Sequence, residues 1–83
     1  DEQTVSVQEN NNLKSVLSEC IEELPPGYKA VFNMYVLDNL THKEIAEFLN
    51  VSINTSKTQL SKARKMLKLK LEEKNITSSK VEL

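Results

Sequence analysis

THKEIAEFLNVSINTSKTQLSKARKML, residues 41–67, decides the fold. Thr41 can cap a helix, and Glu44 three residues on completes a capping box, which satisfies two orphan backbone donors at once. Ile45, Ala46, Phe48 and Leu49 supply the apolar positions of this short helix. Asn50 then ends it, because asparagine tolerates the left-handed conformation favoured just past a helix C-terminus. Val51-Ser52 makes a tight connection, and Ser52 is the N-cap of a second, longer helix running to about Glu73. A short capped helix, a three-residue joint and a longer helix make a helix-turn-helix.

At about 100° per residue, the longer helix separates into faces. Ile53, Ser56, Leu60, Ala63, Leu67 and Leu71 fall in one stripe that should pack inward. Asn54, Thr55, Thr58, Ser61, Lys62 and Lys65 lie opposite. Lys57 and Arg64 flank the stripe on one side, and Gln59 lies on the other. Short polar groups at a helix start can approach the floor of the major groove, while long cations farther along reach phosphates. Asn54 and Gln59 suit bidentate contacts to adenine, and Lys57 could reach guanine. The start of the preceding helix, Thr41-His42-Lys43, would lie across the backbone, where amides and Lys43 favour a phosphate. Ser56 leaves a small polar group in the apolar stripe and is expected to bond back to its own helix. Met66 and Leu69 point outward on the same wheel, as tolerated surface residues or as a protein contact.

Upstream, Leu13, Val16, Leu17, Cys20, Ile21 and Leu24 form an amphipathic stripe. It stops at Pro25-Pro26-Gly27, since a residue before proline is pushed out of the helical region. Tyr28, Val31, Phe32, Tyr35 and Val36 repeat the spacing, widened by Met34 and Leu37, until Asp38-Asn39 breaks it. The expected fold is therefore an all-α, four-helix domain over residues 13–73, a homeodomain-like or winged-helix-like bundle without a wing. Residues 1–12 read as a disordered linker or arm, and residues 74–83 as a frayed tail.

The 83 residues allow one small domain, which should bind a partner rather than enclose a large cavity. One cysteine excludes an internal disulfide, and no metal set, Gly-rich loop or nucleophile–base pair is present, so neither an enzyme nor a cofactor is expected. No membrane span or signal peptide is visible, which makes a cytoplasmic home the default. The chain starts at Asp1, as a fragment of something longer would. Its net charge of −1 conceals an asymmetry: residues 1–50 carry nine acids and three bases (−6), residues 51–83 eight bases and three acids (+5). Halves of opposite sign suggest two kinds of partner, an anionic one for the basic half.

LPPGYKAVFNMYVLDNLTHKEIAEFLNVSINTSKTQLSKARKML, residues 24–67, closely resembles region four of bacterial sigma factors of the extracytoplasmic-function type. The matching pieces are the Leu-Pro start, the aromatic second helix, HKEIAEFLNVS and TSKTQLSKAR. With the first helix, the resemblance covers about 60 of the 83 residues. It implies binding to the upstream (−35) promoter element, docking on the β flap of the RNA polymerase core, and an anti-sigma protein as a further partner. By position it makes Asn54, Thr55, Thr58, Gln59 and Lys62 the base-edge candidates. Thr41, His42, Lys43, Lys57, Arg64 and Lys65 are the phosphate candidates, and Met66 and Leu69 the protein-contact candidates. Asn50 stands where glycine is usual, Ser56 where valine is common, and Gln59 and Lys62 where arginine is common. The promoter-melting region of such a factor is missing from these residues, so this chain alone is not expected to start transcription.

Two other readings compete. The helix-turn-helix of response regulators (the LuxR-like type) shares a KEIA helix, but the Leu-Pro start and the continuous basic run favour the sigma pattern. A protein-interaction module, binding an anti-sigma factor without touching DNA, would make the basic face merely solvated. Salt dependence separates the two classes, because phosphate contacts weaken steeply with salt.

Overall fold

The computed structural model describes residues 13–74 of the chain. Helix α1 covers residues 13–22, α2 runs Pro26–Phe32, α3 runs His42–Leu49 and α4 runs Ile53–Glu73. The described residues contain four helices and no strand, which bears out the all-α helix-turn-helix expectation. The expected arm, residues 1–12, and residues 75–83 of the expected tail lie outside the described residues.

Each boundary has a local cause. Pro25 and Pro26 separate α1 from α2, and Pro26 at the first helical position has no N–H to leave unsatisfied. Beyond Phe32 the helix widens into a π-helical turn, Asn33–Leu37, closed by the Asp38 amide donating to the Asn33 carbonyl at 3.1 Å. Such a turn inserts a residue and re-aims the side chains that follow. Asn39, at φ 58°, takes the left-handed bend that asparagine tolerates, and the Leu40 amide donates back to the Met34 carbonyl at 3.0 Å.

Both caps of the helix-turn-helix form as expected. The Thr41 hydroxyl accepts from the Glu44 amide at 3.1 Å, and the Glu44 carboxylate accepts from the Thr41 amide at 2.9 Å. Those bonds hold the Glu44 carboxyl below its ordinary pKa. Asn50 ends α3 in the left-handed conformation (φ 58°), with the Val51 amide returning to the Ala46 carbonyl. Ser52 caps α4 through the Thr55 amide at 2.9 Å.

The core is one cluster to which every helix contributes. Cys20 and Leu24 come from α1 and the turn after it, Val31 and Phe32 from α2, Ile45 from α3, and Leu60, Ala63, Leu67 and Leu71 from α4. Burying each large aliphatic side chain contributes about 1.5–3 kcal/mol. Cys20 packs here as a small apolar group, and burial pushes its thiol pKa up. Four expected apolar positions are exposed instead: Phe48 at 74%, Leu37 at 64%, Ile53 at 43% and Val36 at 36%. Ile53 falls on the right side of the wheel, but it is the first residue of α4 and has no neighbouring turn above it to cover it.

Candidate nucleic-acid interface

The face of α4 opposite its buried stripe carries what the wheel placed there. Asn54, Thr58, Ser61, Lys62 and Lys65 are exposed, and no acidic residue occurs on α4 before Glu72. Thr55 is half-buried at the rim, and its hydroxyl accepts from the Ser52 hydroxyl at 2.9 Å, tying it to the helix cap. The short polar groups therefore do precede the cations along the exposed surface.

Gln59 departs from its expected role. Its side chain lies against Gly27 at the start of α2, where a Cβ on that glycine would stand 3.7 Å from Gln59 Oε1. The Oε1 atom is buried without a hydrogen-bond partner. The glutamine thus fills the seam between α4 and α2 and does not stand on the exposed face with Asn54 and Thr58. Met66, expected to point outward, is likewise half-buried and packed on the core, because α1 and α2 cover that flank. Leu69 is exposed at 59%, as expected.

The other flank of α4 is organised around His42. The imidazole stacks on Tyr35, with ring centroids 4.6 Å apart, and its Nδ1 lies 2.8 Å from the Ser56 hydroxyl. Ser56 is fully buried, so its hydroxyl is satisfied by the histidine rather than by the expected bond back to its own helix. The Arg64 guanidinium sits over the ring of the same tyrosine, 5.8 Å from its centroid, with its Nε buried and unpartnered. Arg64 is therefore not a freely swinging clamp. A cation over a ring gains roughly 0.5–2 kcal/mol and is held in place.

Burial, with the nearby Lys57 ammonium and Arg64 guanidinium, lowers the His42 pKa below its usual value. At the neighbouring cap, the Thr41 amide donates to the Glu44 carboxylate and the Thr41 hydroxyl accepts from the Glu44 amide, which leaves the hydroxyl proton as the donor Thr41 can offer a ligand. Lys43 remains exposed.

His42, Lys57, Leu60, Ser61, Arg64, Lys65 and Lys68 together line an open groove of about 470 Å³ between the start of α3 and the side of α4. Ser61, Lys68 and Tyr35 were not among the sequence candidates. Lys57, Ser61, Arg64 and Lys68, at steps of four, three and four, share one helical edge, which marks Ser61 and Lys68 as part of it. Tyr35 left no such signal, because its position depends on the π-helical turn. Lys70 turns the other way and pairs with Glu23 at 3.2 Å. Among the described residues there is no cluster of His, Cys, Asp or Glu able to hold a metal ion, and no helix long and apolar enough to cross a membrane.

A capped α3, a left-handed turn and an α4 with a polar and basic outer face define a helix-turn-helix domain of the nucleic-acid-binding class. The family model for sigma-70, region 4 matches residues 14–67, and this chain belongs to that family. It is similar to the RNA polymerase sigma factor SigV of Bacillus subtilis (strain 168), 33% identical over 61 residues that cover 74% of this chain and 37% of that protein. It is also similar to the ECF RNA polymerase sigma factor SigM of the same strain, 36% identical over 56 residues, 68% of this chain and 34% of that protein. The chain spans about a third of the length of these curated relatives. No solved structure matches it. These matches place the chain with sigma factors rather than with the response regulators that share its KEIA helix.

Proposed function

We propose that this chain recognises promoter DNA in transcription initiation, as the part of an extracytoplasmic-function type sigma factor that binds the upstream (−35) element. The observation that carries the reading is the outer face of α4, with Asn54, Thr58 and Lys62 exposed on the helix that follows a capped α3. In this reading α4 enters the major groove with Asn54 and Thr58 at base edges, Thr55 beside them, and Lys62 reaching deeper along the strand. Lys43, Lys57 and Lys65 neutralise phosphates on either side and set the register. Family membership and the two sigma-factor relatives support the assignment.

The partners that follow are promoter duplex and the RNA polymerase core, docked through its β flap, with an anti-sigma protein as a further occupant. The acidic first half and the exposed Leu37 and Leu69 suit protein contacts better than DNA. One recognition helix without dimer symmetry buries little surface, so binding by the free chain is weak, and tethering to polymerase raises its effective concentration at the promoter.

The test is the salt dependence of duplex binding, followed by fluorescence anisotropy. With three to five phosphate contacts, log K should fall against log salt with a slope of about −3 to −4.5. Binding that is undetectable even in low salt would leave the protein-interaction reading in its place.

A further inference from the structure

We propose that the groove between the start of α3 and the side of α4 holds a backbone phosphate of the bound duplex, and that His42 takes up a proton as this phosphate enters. The inference rests on the DNA-binding reading above and adds to it a specific anion site, with Ser61 and Lys68 as members.

The lining explains the ligand class. Lys57, Arg64, Lys65 and Lys68 converge on one groove from successive turns of α4, and among the described residues its lining holds no carboxylate. Leu60 forms the apolar lining, and the Ser61 hydroxyl adds a neutral donor. Four cations facing one open space repel one another until an anion enters, and a phosphate oxygen is the acceptor such a set fits. Arg64 is held by Tyr35 and so presents its guanidinium edge without first having to be ordered.

His42 is built into the same wall. Its Nδ1 is occupied by the Ser56 hydroxyl, which leaves Nε2 as the ring nitrogen available to a ligand. Tyr35 from the π-helical turn stacks on its ring, and Lys57 and Arg64 face it from α4. On α3 itself the neighbouring Lys43 is exposed, and the Glu44 carboxylate is turned to the Thr41 amide. In the free chain burial, together with those two cations, holds the imidazole pKa below its usual value. A phosphate reverses the balance: it offsets Lys57 and Arg64, and its oxygen accepts from Nε2–H. The imidazolium then donates from both nitrogens, Nδ1–H to Ser56 and Nε2–H to the phosphate. Ser56 can serve either state, because a hydroxyl both donates and accepts.

The chain contains a single histidine, so its imidazole C–H signals in NMR report this residue alone. The 83-residue chain is titrated across the histidine range free, with saturating random-sequence duplex in low salt, and with inorganic phosphate at the same phosphate concentration. The duplex is expected to raise the His42 pKa by about one unit or more, equivalent to about tenfold tighter binding at low than at high pH. In Lys68→Ala the rise should shrink and the salt slope should drop by about one. Duplex that binds by anisotropy yet leaves the His42 pKa unchanged overturns the groove site while the DNA-binding reading stands. No binding at any pH overturns the DNA-binding reading itself. A rise of equal size with inorganic phosphate alone overturns the duplex as the occupant.

Discussion

The two flanks of α4 begin from similar sequence and end with opposite uses. One carries Lys57, Ser61, Arg64 and Lys68, the other Gln59, Met66 and Lys70, and both adjoin the same buried stripe. The first opens onto the start of α3 and forms a cationic groove with His42. The second is covered, with Gln59 against Gly27, Met66 on the core and Lys70 paired to Glu23. What distinguishes them is the neighbouring helix, and α1 and α2 reach only one side. A basic residue on α4 is thus open to a ligand only on the flank that the other helices leave uncovered.

The largest expected effect comes from removing what both flanks share. Leu67 is fully buried in the stripe between them, so Leu67→Ala should destabilise the fold by about 2–5 kcal/mol, read by urea denaturation. Retention of most of the stability would mean that the core does not organise the two flanks.

Charge removal should separate the flanks next. Lys57→Ala and Lys65→Ala should each weaken duplex binding several-fold to tenfold and reduce the magnitude of the salt slope by about one. Lys70→Ala should leave both unchanged, since exposed pairs such as Lys70–Glu23 contribute only about 0–1 kcal/mol to stability. Equal effects from all three lysines would erase the comparison.

Gln59 sharpens it from the covered side. Gln59→Met keeps the volume and removes a buried, unpartnered carbonyl, so stability should stay within about 1 kcal/mol of the parent or rise. Sequence preference in a selection from randomised duplexes should not change, whereas Asn54→Ala should relax it at one position. A shift caused by the Gln59 variant would return this residue to the base-reading set.

The smallest effect is on stability against pH. His42 has a lower pKa folded than unfolded, so the unfolded chain binds more protons as pH falls through the usual histidine value. Stability should be full above about pH 6.5 and decline from there toward the folded pKa. His42→Asn should remove that decline. The Glu44 contribution belongs to a lower window: its folded pKa is depressed, so its stabilisation is present above the usual carboxylate range and lost as pH falls through it. Thermal unfolding of both proteins from pH 7.5 to pH 5.5 reads the difference.

Much of the fold was legible because its causes are local. Thr41 with Glu44, Asn50 and Ser52 act on backbone groups within a few residues, and each does what its side chain can do there. The stripe from Ser56 to Leu71 needed only helical periodicity. Periodicity erred where a position is on the right face but has no neighbour to cover it, as at Phe48 and Ile53. At the site, Asn54, Thr58, Lys62 and Lys65 were readable as exposed, because nothing in the described structure reaches that face. The seam that Gln59 fills was not legible, because its partner, Gly27, is 32 residues away in the chain and contributes no side chain to suggest a contact.

By itself, the sequence determined the helix ends, the turn, the core stripe and the polar-then-basic order along α4, all set by side chains acting on their own or adjacent turns. Tertiary structure alone decided which flank of α4 stays open. It also turned His42, Tyr35, Ser56 and Arg64 into one wall, and gave Ser56 a partner outside its own helix. Those contacts join residues from three helices, and the π-helical turn that delivers Tyr35 gives no periodic signal in the chain. Their geometry exists only once the helices have packed.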